Sequence, residues 1–286
     1  MDYFCRAGGT ASAANPAYID PGADWAFVSQ NQPENSMRIL FADKFPEHWL
    51  EMLEGHGHEI RYHPETTETG LPDRIGNVEA LVVRSTRVGA PALEAGRVLR
   101  AVIRAGAGTN TIDVDRAREL GIAVCNTPGR NAVAVAELAM GLIIALDRRI
   151  CDNVADLKRG VWNKKEYSLA SGLYGATLGV LGTGAIGAEL MTRASAFGMQ
   201  VAVIDKSGRS PGAEAVLAAV DALRVSDLAE LAAVSDYLSI HLPAGADTAG
   251  LVGVSVFEAM KPGAAIIDTS RGEVVDEAAL IEAMDR

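Results

Sequence analysis

The stretch TLGVLGTGAIGAELMTRASAFGMQVAVID, residues 177–205, decides the fold that the sequence predicts. It begins with a short apolar strand, 178–181, which leads into the glycine-rich segment GTGAIG at 182–187. Apolar residues then recur at helical spacing until Gly198 closes the helix; these are Ile186, Leu190, Ala194 and Phe197. A second apolar strand follows at 201–204. The stretch therefore predicts a strand, a tight turn, a helix and a second strand.

The glycines of this segment have separate physical roles. Gly182 permits the tight turn, Gly184 lets a pyrophosphate approach the backbone, and Gly187 lets the helix pack closely on the strand. The pyrophosphate would lie on the free N–H groups at the helix N-terminus. Asp205 ends the second strand, where its carboxylate accepts hydrogen bonds from the ribose hydroxyls. The acid also repels a 2'-phosphate, a preference that Lys206 tempers only slightly, so the segment predicts NAD rather than NADP.

The composition is that of a globular chain long enough for two domains: 286 residues, 49% hydrophobic and 22% charged. The net charge of -11 argues against nucleic acid or an anionic membrane surface as the main partner. No apolar run approaches the roughly 20 residues of a membrane span. Cys5, Cys125 and Cys151 are too few and too scattered for a disulfide framework or a zinc site. We therefore expect a cytoplasmic protein without a bound metal, with Cys125 and Cys151 as small buried residues.

Residues 1–36 have no sustained periodicity, and we expect them to form a disordered N-terminal extension. From Met37 onward, apolar strands alternate with helical segments, which predicts parallel sheets with helices on both faces. After the break at Asn126-Thr127-Pro128-Gly129, Asn131 is expected to cap a long helix at about 132–147. Its predicted core-facing stripe consists of Val135, Leu138, Leu142 and Leu146.

Arginine and glycine follow the ends of three predicted strands. The segments are Arg84-Ser85-Thr86-Arg87, Arg104-Ala105-Gly106-Ala107-Gly108 and Thr269-Ser270-Arg271-Gly272. Open α/β sheets bind ligands at the carboxyl ends of their strands. An arginine there can hold a carboxylate or phosphate through two parallel N–H groups, while glycine exposes backbone N–H groups to the same anion. A surface salt bridge would explain any one arginine alone, but the three segments together favour an anion-binding cleft.

Several blocks of this sequence resemble the D-2-hydroxyacid dehydrogenases, especially the phosphoglycerate dehydrogenase branch. They occur in family order from Met37 to the C-terminus: ALVVRST (80–86), IRAGAGTNTIDVDRARELGIAVCNTPGRN (103–131), AVAELAMGLIIAL (134–146), LGTGAIG (181–187), SIHLP (239–243) and MKPGAAIIDTSRGEVVDEAAL (260–280). The resemblance implies an α/β protein with a flavodoxin-like substrate domain, 37–128, and a Rossmann-type doubly wound NAD-binding domain, 129–286. It also implies a homodimer or higher homo-oligomer.

The resemblance assigns roles to individual residues. Arg271 would bind the carboxylate of the 2-oxo acid and polarise the carbonyl that receives hydride. Arg84 and Arg104 would bind a phosphorylated substrate, with Ser85 and Gly106 offering backbone contacts, so 3-phosphoglycerate is the expected substrate. The cofactor contacts that it implies, beside Gly182, Gly184, Gly187 and Asp205, are Ala107, Ala185, Ile186, Leu242, Thr269, Ser270 and Arg271 itself.

The sequence departs from the family at its end. The family's proton-donating histidine and the glutamate that orients it lie downstream of the segment that matches 276–285. We therefore expect the second domain to lack its final elements and hydride transfer to be slower by roughly 100- to 10,000-fold without a positioned acid. His241 is a weak substitute for the proton-donating histidine, because the family position that it matches is structural. The alternative hypothesis is a catalytically inactive protein that binds or senses NAD(H).

Overall fold

The computed structural model describes the backbone of Phe4–Arg6 and the whole of residues 36–285. The chain forms two compact units, Met1–Arg130 and Asn131–Arg286. Each unit is built on a predominantly parallel sheet with apolar clusters on its two faces. The predicted α/β class is confirmed.

The sheet of the first unit has six strands in the order β1-β6-β5-β4-β2-β3. The strands are β1 (Phe4–Arg6), β2 (Arg38–Phe41), β3 (Glu59–Tyr62), β4 (Ala80–Val83), β5 (Ala101–Arg104) and β6 (Ala123–Asn126). All neighbours are parallel except β1, which runs antiparallel to β6. β4 is buried along its whole length, which is typical of a strand with both faces covered.

The helices of the first unit are α1 (Glu47–Gly55), α2 (Ala90–Ala95) and α3 (Val114–Glu119). Side chains alternate between the two faces of the sheet: Leu40 belongs to one apolar cluster, while Ile39 and Phe41 belong to the other. The short helices α2 and α3 were not predicted. Six residues give too few turns for a helical period to be recognised.

The sheet of the second unit is parallel throughout and has the order β11-β10-β7-β8-β9. Its strands are β7 (Thr177–Leu181), β8 (Gln200–Ile204), β9 (Leu223–Val225), β10 (Tyr237–Ile240) and β11 (Ala265–Asp268). The order reverses between β7 and β10, because the chain first builds outward from β7 to β9 and then returns to the other side. This point, at the carboxyl ends of β7 and β10, is where doubly wound sheets bind ligands.

Seven helices accompany this sheet within the described residues. They are α4 (Ala132–Asp147), α5 (Ile150–Lys158), α6 (Ala185–Ala196), α7 (Pro211–Ala219), α8 (Leu228–Val234), α9 (Val254–Ala259) and α10 (Glu277–Met284). Leu190, Met191 and Ala194 of α6 are buried against β7 and β8. Phe197, the last of the apolar residues at helical spacing, follows the last turn of α6 and is exposed.

The predicted stripe of α4 is wrong. The buried residues of this helix are Ala132, Ala136, Ala139, Met140 and Ile143. Leu138, Leu142 and Leu146 point to the opposite side and have exposed fractions of 55%, 40% and 51%. Asn131 is the residue before the helix, as predicted, but its side chain makes no capping hydrogen bond. The small residues face the apolar cluster that α4 shares with α6 and the sheet, because they let the two helices approach closely.

Two further expectations need correction. Phe4–Arg6 forms strand β1, so the predicted N-terminal extension contains a strand; the remaining part of that prediction, 1–3 and 7–35, lies outside the described residues. Cys125 is buried, as predicted, but is disulfide-bonded, and Cys151 is free and exposed rather than buried. Within the described ranges, no helix has the length and apolar character that a membrane crossing requires.

Candidate functional site

The glycine-rich segment lies at the switch point of the second sheet. β7 ends at Leu181, the turn follows, and α6 begins at Ala185. Gly182 has a φ of +108°, and a Cβ built there would lie 2.5 Å from the carbonyl oxygen of His241, at the end of β10. A Cβ on Gly187 would lie 2.1 Å from the Gly182 carbonyl oxygen. Both positions therefore require glycine, one for the turn and the other for the packing of helix on strand.

Gly184 differs from these two glycines, because a Cβ built on it meets no atom of the described chain within 4 Å. It is the N-cap residue of α6, and no side chain caps this helix. The N–H groups of the first turn, which includes Ala185 and Ile186, thus face open space at the positive end of the helix. An uncapped helix start beside an open glycine fits a bound pyrophosphate.

Polar atoms at the ends of β10 and β11 lack partners in the same unit. The Nδ1 atom of His241 and the hydroxyl of Thr269 are buried and make no hydrogen bond with the described residues. Leu242 packs beside Gly182, with its Cδ2 atom 3.3 Å from the position of a Cβ there. Unsatisfied buried polar groups are rare, so their presence at the strand ends fits a site that a polar ligand completes.

His241 is held in its neutral form. Burial lowers its pKa from 6.5 to about 4, and the carboxylate of Asp268 only partly opposes this shift. Its Nε2 atom lies 2.9 Å from the hydroxyl of Ser239. A histidine with this pKa carries little of its protonated form at neutral pH, which argues against His241 as the proton donor.

Arg271 follows β11 and leads into a short 3-10 turn, Gly272–Val274. Its Nη1 atom donates to the carbonyl of Ser270 at 2.6 Å, and it forms no ion pair with an acid of the described chain. Ser270 is fixed in turn, since its N–H and its hydroxyl both donate to the Asp268 carboxylate at 2.7 Å. The Arg271 guanidinium, on a backbone held by these bonds, keeps donors available for a carboxylate.

Asp205 ends β8, as predicted, but it has an unpredicted neighbour. Nη1 of Arg224, on β9, lies 3.3 Å from Oδ1 of Asp205. Arg209, in the loop after β8, donates from Nε to the hydroxyl of Thr183 at 3.1 Å and so reaches the glycine-rich turn. Neither arginine was predicted; the position of Arg209 shortly after the acid was the one available signal.

In the first unit, the predicted loop Arg84-Ser85-Thr86 follows β4 at the switch point of its own sheet. The backbone N–H groups of all three residues donate to one oxygen of Asp43, at 2.7, 3.1 and 3.1 Å. The Ser85 N–H, expected to contact substrate, thus already has an acceptor. The Arg84 side chain is exposed and has no ion pair within the described residues. Sequence reasoning missed Asp43, although it lies only two residues after the apolar strand β2.

The second predicted loop of this unit follows β5. A Cβ on Gly106 would lie 1.6 Å from Nη1 of Arg104, so the arginine side chain crosses the glycine. The Gly106 N–H donates to the Arg104 carbonyl at 2.8 Å and, like that of Ser85, has an acceptor within the chain. The carbonyl of Ala107 accepts a hydrogen bond from Nδ2 of Asn126 at 2.6 Å, which ties the loop to the end of β6.

Comparison with known proteins identifies the family. Residues 140–286 match "D-isomer specific 2-hydroxyacid dehydrogenase, NAD binding domain". The chain belongs to the D-2-hydroxyacid dehydrogenases. NAD is the cofactor of this domain. Among these dehydrogenases, the chain is 37% identical over 249 residues to D-3-phosphoglycerate dehydrogenase of Methanocaldococcus jannaschii, covering 87% of this chain and 46% of that protein. It is 42% identical over 209 residues to hydroxypyruvate reductase of Thermotoga maritima, with coverages of 73% and 65%.

Solved structures of D-2-hydroxyacid dehydrogenases agree with this assignment. NAD⁺-bound 3-phosphoglycerate dehydrogenase of Entamoeba histolytica gives a TM-score of 0.71 at 28% identity and covers 88% of this chain and 77% of that one. Apo D-lactate dehydrogenase of Escherichia coli gives a TM-score of 0.75 at 29% identity, with coverages of 87% and 78%. The chain spans about half the length of the phosphoglycerate dehydrogenases that it matches, 46% in the first case.

Proposed function

We propose that this chain acts as an NAD-dependent D-2-hydroxyacid dehydrogenase that interconverts 3-phosphoglycerate and 3-phosphohydroxypyruvate. We assign the substrate domain to residues 37–128 and the NAD-binding domain to 129–286. The observation that carries the proposal is the uncapped start of α6 beside Gly184, together with the orphaned buried atoms of His241 and Thr269 at the neighbouring strand ends. The cytoplasmic location stays a prediction from the sequence.

The proposed roles follow from the donors that each residue offers. The first-turn N–H groups of Ala185 and Ile186 would hold the pyrophosphate, and Asp205 the ribose hydroxyls. Bound NAD supplies the acceptor for the hydride that leaves C2 of the hydroxy acid. Arg271 would fix the carboxylate next to C2 through parallel N–H groups. Leu242, Thr269 and Ser270 would line the nicotinamide side, as the family resemblance implies.

A phosphorylated substrate is supported by two arginines in the first unit, one exposed and one half-buried. Arg84 is exposed without an ion pair in the described chain, and Arg104 crosses Gly106 at the end of β5. Arg84 and Arg104 would bind the phosphate, and Ser85 and Gly106 are proposed as backbone contacts. The N–H groups of both residues have acceptors within the chain, so such a contact would share or replace these hydrogen bonds. Ala107 is proposed as a further cofactor contact.

The test measures NADH oxidation with 3-phosphohydroxypyruvate and, separately, with hydroxypyruvate. We expect NADH binding in the micromolar range and slow turnover that favours the phosphorylated acid, because His241 is neutral and a poor proton donor. Arg271→Met should remove this turnover, while NADH binding through the glycine-rich turn and Asp205 should remain measurable. Equal rates with both acids would contradict the phosphorylated substrate, and absence of NADH binding would contradict the whole proposal.

A second candidate function is an NAD(H)-binding or sensing protein without catalysis. The low pKa of His241 favours it, since no other histidine of the described residues lies on the second unit. The same assay separates the two candidates: tight NADH binding with no turnover of either acid at high protein concentration would support the second.

We also propose that the chain forms a homodimer through α4 and α5. Both helices expose apolar side chains. In sequence order these are Leu138, Leu142, Leu146, Ile150, Val154 and Leu157. A row of exposed leucines on a helix whose other side is buried is typical of an interaction surface. A second copy of this chain is the proposed partner, because a self-complementary apolar face closes in a two-fold dimer.

A further inference from the structure

The ribose end of the proposed cofactor site is more cationic than its acidic residue suggests. Arg224 bridges two carboxylates: Nη1 lies 3.3 Å from Oδ1 of Asp205, and Nη2 lies 2.5 Å from Oε2 of Glu214, on α7. The hydrogen bond with Arg224 holds the pKa of Glu214 below its usual value. Both members of this pair are therefore charged at neutral pH. One guanidinium thus opposes the negative charge of Asp205.

A second guanidinium lies at the base of the same loop. The Arg209 side chain is only 7% exposed and satisfies its donors within the chain. Nη1 donates to the Lys206 carbonyl at 2.8 Å, and Nη2 donates to the Ile204 carbonyl. The Thr183 hydroxyl accepts from Nε at 3.1 Å. Arg209 therefore clamps the loop after β8, which begins at Asp205, onto the glycine-rich turn, and its Nη1 atom lies 3.7 Å from Oε1 of Glu214.

Lys206 and Ser207 complete the surroundings of the acid. Both side chains are exposed and make no hydrogen bond or ion pair with the described part of the chain. This end of the site thus carries three cations, Lys206, Arg209 and Arg224, against two carboxylates, those of Asp205 and Glu214. The repulsion of a 2'-phosphate, inferred from Asp205 alone, is offset by this balance.

We infer that the ribose end accepts a 2'-phosphate, so that the site binds NADP(H) as well as NAD(H), with Arg224 as the residue that decides the selectivity. The inference rests on the proposed cofactor role of 182–187. Arg224 is 39% exposed, keeps donors beyond its two bridges, and lies beside the carboxylate that receives the ribose hydroxyls. A guanidinium at this place matches the planar, multidentate geometry that binds phosphate. Lys206 and Ser207 offer a further cation and a hydroxyl.

The experiment titrates the chain with NADH and with NADPH and follows the fluorescence of the reduced nicotinamide. We expect the Kd of NADPH to lie within about tenfold of that of NADH for the unmodified chain. Arg224→Gln should weaken NADPH binding by roughly tenfold more than NADH binding, since it removes a charge-assisted contact to phosphate. Asp205→Asn should shift the ratio in the opposite direction, because it removes the repulsion and a ribose acceptor.

Lys261→Gln is the matched control. Lys261 has the same exposed fraction as Arg224, 39%, and also forms an ion pair, with Asp236 at 2.9 Å. Asp236 precedes β10, so this pair lies at the amino ends of the strands, away from the site. The control should leave the ratio of the two Kd values unchanged. Two results would overturn the inference and leave the cofactor role standing. One is NADH binding without NADPH binding, and the other is a ratio of the two Kd values that Arg224→Gln leaves unchanged. Binding of neither nucleotide would overturn the cofactor role and the inference together.

Discussion

Gly184 and Gly187 belong to one turn, yet an added methyl group meets different surroundings at the two positions. At Gly187 it would lie 2.1 Å from a backbone oxygen, whereas at Gly184 it meets no atom of the described chain within 4 Å. The φ of Gly184, -73°, is also accessible to alanine. Glycine-to-alanine substitutions at the two positions can therefore separate the effect of the turn on stability from its effect on cofactor binding.

We predict that Gly187→Ala destabilises the chain by about 1–3 kcal/mol, because backbone must move to admit the methyl group. Gly184→Ala should leave the free energy of unfolding within about 0.5 kcal/mol of that of the unmodified chain, because the poorer N-cap residue is offset by the lower entropy of the unfolded chain. The same substitution should weaken NADH binding at least roughly tenfold, since the methyl group occupies the approach of the pyrophosphate. Urea unfolding and NADH titration of both variants test this. Normal NADH affinity in Gly184→Ala would contradict the proposed path of the cofactor.

His241 makes the stability of the second unit depend on pH. Its pKa is about 4 in the folded chain and 6.5 as the reference value, so between these values the unfolded chain binds the proton and the folded chain does not. The free energy of unfolding is therefore highest above pH 6.5 and falls as the pH decreases towards 4.

We predict that His241 accounts for a loss of about 1.4 kcal/mol on going from pH 8 to pH 5.5, from the cited pKa values and 1.36 kcal/mol per unit. His241→Asn should lose less stability over this interval, because asparagine does not titrate. Urea unfolding at the two pH values, each variant compared with itself, measures the difference. Parallel losses in both chains would show that His241 is not buried as neutral imidazole.

At the scale of the elements, α4 has two apolar sides with different uses. Its small residues and Ile143 pack into the apolar cluster with α6 and the sheet, while Leu138, Leu142 and Leu146 face away from this cluster. The loops at the strand ends show a similar division. Asp43 accepts hydrogen bonds from the backbone N–H groups of Arg84 to Thr86 and leaves the side chains of Arg84 and Ser85 exposed. In both cases an element's backbone and small residues serve the fold, and its larger side chains remain for a partner or ligand.

We predict that the unmodified chain is a dimer in sedimentation velocity, and that Leu138→Glu combined with Leu142→Glu makes it monomeric, because each carboxylate would be desolvated in the interface. The circular dichroism of the double variant should be unchanged, since both leucines are exposed within one chain. Ile281→Glu on α10, where Ile281 is 63% exposed, is the control and should remain dimeric. A monomeric unmodified chain would rule out the proposed dimer.

At the scale of the whole molecule, the two units have separate apolar clusters on their own sheets. The residues proposed for the pyrophosphate and the ribose all belong to the second unit, Asn131–Arg286. A ligand that binds the folded state of this unit stabilises it by about 2.7 kcal/mol at 100 times its Kd.

We predict that saturating NADH slows amide hydrogen exchange in 182–190 and at the end of β10, because these N–H groups contact the cofactor or the strand beside it. The buried strand β4 of the first unit should show little change. Mass spectrometry of peptides from both units provides the measurement. Protection confined to the first unit would contradict the placement of the dinucleotide on the glycine-rich turn.

The sequence by itself determined the parts that depend on neighbours along the chain. The unit from Thr177 to Asp205 follows from apolar periods and from glycines that only one backbone geometry explains, and the structure reproduces it as β7, α6 and β8. Apolar runs also located the remaining parallel strands except β9, whose three residues are too few to form a pattern. Family blocks identified the dehydrogenase and its cofactor domain.

The tertiary structure decided what depends on contacts across the fold. The helix α4 is apolar on several sides, so periodicity could not tell which side meets α6 and the sheet, and close packing selected the alanines. The low pKa of His241 comes from burial, which no local pattern encodes. The Arg84 loop finds its acceptor, Asp43, in the loop after β2, and Asp205 finds its counter-charge, Arg224, on β9. Such partners meet only when the sheets form, because strand order and not sequence distance brings their side chains together.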